Sequence, residues 1–133
     1  MNLSLAEAFG KFGAKPSNRP GSLSAIAADG ALVLECSRGI FRHPSVGVLR
    51  YEGRLSSDIA LGHTEPLVEH LTLARDGALP IRMVLAREIS HKNSRPVHGF
   101  AVRQDLLGKV VKFDGDHFII DFTRTVAKSE HPP

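Results

Sequence analysis

Two Asp-Gly pairs, Asp29-Gly30 and Asp114-Gly115, each lie between short apolar-rich runs. They constrain the fold more than any other feature of the chain, because Asp-Gly tolerates the positive φ that a tight hairpin turn demands. In the first hairpin, Leu23 to Ala28 and Ala31 to Cys36 flank the turn. A two-residue turn there sets Ala27 opposite Leu32, Ala25 opposite Leu34 and Leu23 opposite Cys36 on one face. Ser24 and Glu35 then fall on the other, and Cys36 points inward. In the second hairpin, Lys109 to Phe113 and His117 to Phe122 surround the turn. The same logic gathers Val111, Phe113, Phe118, Ile120 and Phe122 on a core face, with Lys112, His117 and Asp121 opposite.

The remaining segments add helices and further strands. Ser4-Leu5-Ala6-Glu7 is a capping box, in which a serine hydroxyl and a glutamate three residues on satisfy each other's orphan amides. Leu5, Ala8, Phe9 and Phe12 follow at helical spacing, and Gly13 ends the helix. A second helix begins near Thr64 and carries Leu67, Val68, Leu71 and Ala74 as its apolar stripe before Gly77. Ile40-Phe41 starts a strand that His43-Pro44 breaks, and Val46 to Tyr51 alternates as a strand. Pro80 to Arg87 has apolar residues of both parities, as a central strand covered on both faces does. Ser90 to Pro96 reads as a polar basic loop, Val97 to Val102 as a strand, and Gln104 to Leu107 as a tight turn.

About seven strands and two helices result, mostly joined too tightly for parallel crossovers. The expected fold is α+β: a curled, mostly antiparallel sheet or partly open β-barrel, with the helices packed on one side or end. A chain of 133 residues is one domain's worth. The expectation is a single domain over 1–124 and a frayed tail over 125–133.

Composition narrows the function classes. Cys36 is the only cysteine, which excludes an intramolecular disulfide and an all-cysteine metal site. No apolar run approaches the roughly 18–20 residues of a membrane span, and no leader pattern opens the chain. The expected location is therefore cytoplasmic, with no membrane partner. The chain also lacks a phosphate-cradling glycine motif, a Gly-x-Ser-x-Gly elbow and a His-Glu-x-x-His pair.

The other chemical candidates have plainer explanations. Asp114-Gly115-Asp116-His117 could hold a metal, but reads better as a hairpin turn. The histidines, His43, His63, His70, His91, His98, His117 and His131, lack the spacing of a zinc site. Glu65 and Glu69 share a helical face near a helix start, where solvated carboxylates are favoured. An inward Cys36 is a small hydrophobe, not a nucleophile. The expectation is a binding module without cofactor or metal, not an enzyme.

Charge supplies the positive lead. The net charge is +3, and all of it lies ahead of Tyr51. There Lys11, Lys15, Arg19, Arg38, Arg42 and Arg50 face only Glu7, Asp29 and Glu35. Three segments read as loops rich in cations: Lys15 to Arg19, Arg38 to His43, and Arg87 to His98, where Glu88 is the only carboxylate. Gathered at one end of a barrel, Lys15, Arg19, Arg38, Arg42, Arg87, Lys92 and Arg95 would neutralise several phosphates of DNA or RNA. Phe41 and Tyr51 would be placed to stack on a base. The alternative is a domain with no nucleic-acid role, one that takes a small molecule in a pocket of the curled sheet or self-associates as a homodimer.

Overall fold

The computed structural model describes residues 3–15, 24–36, 39–55, 65–92 and 95–125, with backbone alone for 65–66, 87–92 and 95–98. Of the expected tail over 125–133, residues 126–133 lie outside the described residues, as do Arg19 and Arg38, while Thr125 donates its amide to Asp105 O at 2.9 Å. Among the described residues, two helices, α1 (Leu5–Gly10) and α2 (Glu65–Gly77), accompany seven strands. These are β1 (Ser24–Ile26), β2 (Leu32–Glu35), β3 (Ile40–Ser45), β4 (Val48–Arg54), β5 (Ile81–Lys92), β6 (Arg95–Phe113) and β7 (His117–Arg124). They form one open sheet in the order β1-β2-β5-β6-β7-β4-β3. Only β2 and β5 run parallel; every other neighbouring pair is antiparallel. The expected α+β curled sheet with two helices is the fold observed.

The sheet curls around α2. Leu67, Leu71 and Ala74 of the helix pack with Leu32, Leu34, Cys36, Tyr51, Ile81, Met83, Leu106, Phe113, Phe118, Ile120 and Phe122. These side chains come from five strands and the residue after β2, so one helix stripe seals most of the concave face. Helix α1 takes the opposite face of the sheet's other end. Its Ala8 and Phe9 bury against Ala25, Ala27, Ala31, Val33 and Val84. The two helices thus divide between the faces, and this is why β2 and the first half of β5 are apolar at both parities.

The first hairpin differs from expectation by one residue. Ser24 pairs with Leu34, Ala25 with Val33 and Ile26 with Leu32. The loop holds three residues, Ala28-Asp29-Gly30. It is closed by hydrogen bonds from Ala27 N to Ala31 O (2.8 Å) and from Gly30 N to Ala27 O (2.9 Å), with Gly30 at φ +91°. A one-residue slip moves the alanines to the other face. They now lie under α1, on the same side as Glu35, which is buried. Cys36 remains inward, 2% exposed.

The second Asp-Gly hairpin turns at Gly115-Asp116, one residue later than expected. Phe113 pairs with Phe118, and Asp114 Oδ1 accepts from the amides of Asp116 and His117 at 3.0 and 2.8 Å. The stretch is a carboxylate-braced turn. A register shift between Val110 and Lys112 makes Val111 a bulge residue, 48% exposed, so it leaves the expected core set and Val110 takes its place. Gln104 to Leu107 is likewise no chain reversal. Ile81 pairs with Gly108 and Met83 with Arg103, so the extra residues bulge out of β6 where it passes from β5 to β7.

Candidate nucleic-acid interface

The segment expected as a basic loop over Arg87 to His98 consists instead of the far halves of β5 and β6. Their register is Arg87 with Gly99, Glu88 with His98, Ser90 with Val97, His91 with Pro96 and Lys92 with Arg95, with a shift between Glu88 and Ser90. Pairing of β2 along β5 ends at Val84. Pairing of β7 along β6 ends at Leu106, and a single bridge from Leu3 reaches Phe100. Beyond Ala86 and Phe100, the two strands have no other neighbour among the described residues. They form a two-stranded ribbon about 20 Å long at ~3.4 Å per residue. The backbone ladder satisfies its own inner edge, which is why a polar sequence stays extended where a loop was expected.

This ribbon gathers three of the seven residues singled out from the sequence. Arg87, Lys92 and Arg95 all belong to it, the last two as direct cross-strand partners. The other two described residues do not join them or each other. Lys15 is exposed after α1, beside the β1 edge. Arg42 is exposed on β3, at the opposite edge of the sheet. The sequence left open whether the three segments gather into one patch; Lys15 and Arg42 lie toward opposite edges of the sheet. Tyr51 cannot serve as a stacking platform, because it is 1% exposed and packs between Phe41 and Phe118, with ring centroids 5.0 and 5.4 Å away. Phe41 packs on Tyr51 and stays 37% exposed.

A second polar cluster lies on the outward face of β4 and β7. Arg50 donates to Asp121 through Nε and Nη2 at 2.7 and 2.9 Å, a bidentate pair. His117 Nε2 lies 2.6 Å from Glu52 Oε2, and its Nδ1 lies 3.2 Å from Lys112 Nζ. Arg42 Nε approaches the other Glu52 oxygen at 3.7 Å. The hydrogen bond from His117, with Arg42 and Arg50 nearby, holds the Glu52 carboxyl below its usual range. The Arg50 guanidinium does the same for Asp121. An open cleft of about 360 Å³ fronts this cluster, lined by Gly39, Ile40, Arg42, Glu52, Gly53, Arg54 and His117. Its cations are matched by Glu52, Asp116 and Asp121, so the face is largely self-neutralised and attracts phosphate weakly.

A third constellation escaped the sequence reading. Ser24 Oγ lies 2.7 Å from His70 Nδ1, linking the β1 edge to α2 across 46 residues. Burial pushes the His70 imidazole towards its neutral form, and Glu69 opposes this weakly. The contact gives a buried serine hydroxyl a hydrogen-bond partner, so the pair fastens the helix to a short edge strand. No local spacing announces it, since the partners come together only in the fold. Cys36 is buried, and the loss of water together with Glu35 raises its thiol pKa well above normal. No group of three or more His, Cys, Asp or Glu side chains able to hold a metal occurs among the described residues. No described helix is long and apolar enough to cross a membrane.

The β3 edge carries the exposed apolar residues Ile40 and Phe41. Arg42, His43 and Pro44 follow in the same strand, and charge and proline blunt an edge against pairing. Comparison with protein-family models, with characterised proteins and with solved structures gave no match to this chain.

Proposed function

We propose that this protein is a nucleic-acid-binding module that acts through the β5–β6 ribbon, in a cytoplasmic setting. The observation that carries this reading is the ribbon itself, which brings Arg87, Lys92 and Arg95 onto one narrow projection. Glu88 is the single carboxylate between residues 87 and 98, so the projection is cationic. Cations on such an element neutralise phosphates and release condensed counterions, which gives affinity that falls steeply with salt. Ser90, Asn93 and Ser94 add side-chain types that donate to phosphate oxygens. Lys15, beside β1, and Arg42, on β3, lie outside the ribbon and are not part of the proposed contact.

The test is binding of a labelled oligonucleotide by fluorescence anisotropy across a salt series. The expected result is micromolar or tighter binding at ~50 mM salt, falling linearly in log–log form. Replacing Arg87, Lys92 and Arg95 together by Ala should lower affinity and flatten the salt slope by about 2.7, which is 0.9 for each lost phosphate contact. Unmeasurable binding at low salt, or a triple variant that binds like the parent, overturns the proposal.

A further inference from the structure

Resting on the nucleic-acid reading, we infer that the partner is duplex DNA and that the ribbon enters its major groove. Three observations carry this further step. The first is shape. Two paired strands lie ~4.8 Å apart, so a ribbon with its side chains is about as wide as the ~12 Å major groove of B-form DNA. Its length beyond Ala86 and Phe100, about 20 Å at ~3.4 Å per residue, exceeds the ~8.5 Å depth of that groove. The deep, narrow major groove of A-form RNA does not admit such an element.

The second observation is composition. Single strands are held by bases stacking on aromatic rings, yet residues 87–98 contain no Phe, Tyr or Trp. The one tyrosine of the chain is buried in the core. What the segment does contain is arginine, the residue that reads guanine edges in the major groove, and Arg95 lies in the last described pair of the ribbon, opposite Lys92.

The third concerns the edges. An edge strand is a template for further strands. Here the end-most pairs are Lys92 with Arg95 and His91 with Pro96. Proline offers no amide to a neighbouring strand, and paired cations repel a like ribbon. The projection is thus poorly suited to extending a protein sheet and well suited to a polyanionic groove.

The experiment compares the intact chain on a short duplex DNA, a duplex RNA of the same sequence, and single-stranded DNA, with the triple Ala variant measured in parallel. A dimethyl sulfate interference assay on the duplex DNA reports contacts at guanine N7, which lies in the major groove. The expected result is duplex DNA bound about tenfold or more tightly than either competitor, with N7 methylation weakening binding. Equal or tighter binding of duplex RNA or single strands, lost in the triple variant, overturns this inference and leaves the nucleic-acid reading standing. Preference for duplex DNA with no N7 interference overturns the groove assignment. No binding to any of the three overturns both.

Discussion

At the scale of single residues, the helix ends show how one backbone solution is reached with different side chains. After α1 the chain closes with a hydrogen bond from Ala14 N to Phe9 O at 3.1 Å, and Gly13 sits at φ +77°. After α2 the same closure runs from Leu79 N to Ala74 O at 3.1 Å, but the left-handed position is occupied by Ala78 at φ +52°. A β-carbon in that conformation costs about 1–2 kcal/mol, partly offset by the greater unfolded-state freedom of glycine. Ala78→Gly should therefore stabilise the protein by about 0.5–1 kcal/mol, read as a higher urea midpoint at unchanged slope. Cys36 gives a second residue-scale test. Its thiol is buried and its ionisation suppressed, so a thiol reagent at neutral pH should label it only as fast as the protein opens. Rapid stoichiometric labelling of the native protein would show the site to be exposed. The inward cysteine was legible in the sequence because Leu32, Leu34 and Cys36 alternate. Ala78 was not, since Gly77 beside it advertises the same stop.

At the scale of elements, the β4–β7 pair is the most electrostatically committed part of the sheet. Arg50 and Asp121 are Cα partners in the ladder and exchange two charge-assisted hydrogen bonds. Asp121 and Glu52 both have carboxyl pKa values below normal in the folded state. A depressed folded value means that the unfolded chain binds protons more readily. The stabilisation is complete above the unfolded carboxylate range near pH 4 and is lost as pH falls through the folded values. Denaturation midpoints should therefore drop between about pH 5 and pH 2, and Asp121→Asn should drop less over that window. A variant with the parent's full acid sensitivity would place the effect elsewhere, for example at Asp105 beside Arg103. Element existence was largely readable here, since both helices and both Asp-Gly hairpins follow from local signals. Registers were not. A three-residue loop at Asp29 and a bulge at Val111 each shift a whole face, and both depend on what packs against the strands.

At the scale of the molecule, the β5–β6 ribbon extends past the pairing of β2 along β5 and of β7 along β6. Ala86 and Phe100 are cross-strand partners at the ribbon's base. Replacing residues 87–99 with an Asn-Gly turn should therefore leave the thermal midpoint within a few degrees and abolish nucleic-acid binding. Loss of cooperative unfolding in that variant would show the ribbon to be part of the folding unit.

The class of fold, the capped α1, the stripe of α2 and the two hairpins are legible from local sequence alone. Each of these is written in residues only a few positions apart, where capping, helical spacing and turn chemistry act. The sequence also determined that residues 87–98 are cationic and nearly free of carboxylates. Only the tertiary structure decided that this segment is a paired ribbon and not a loop, that α1 and α2 take opposite faces, and that Lys15 and Arg42 end at opposite sheet edges. Strand order and register arise from which faces can be covered at once, and that depends on contacts between residues far apart in the chain.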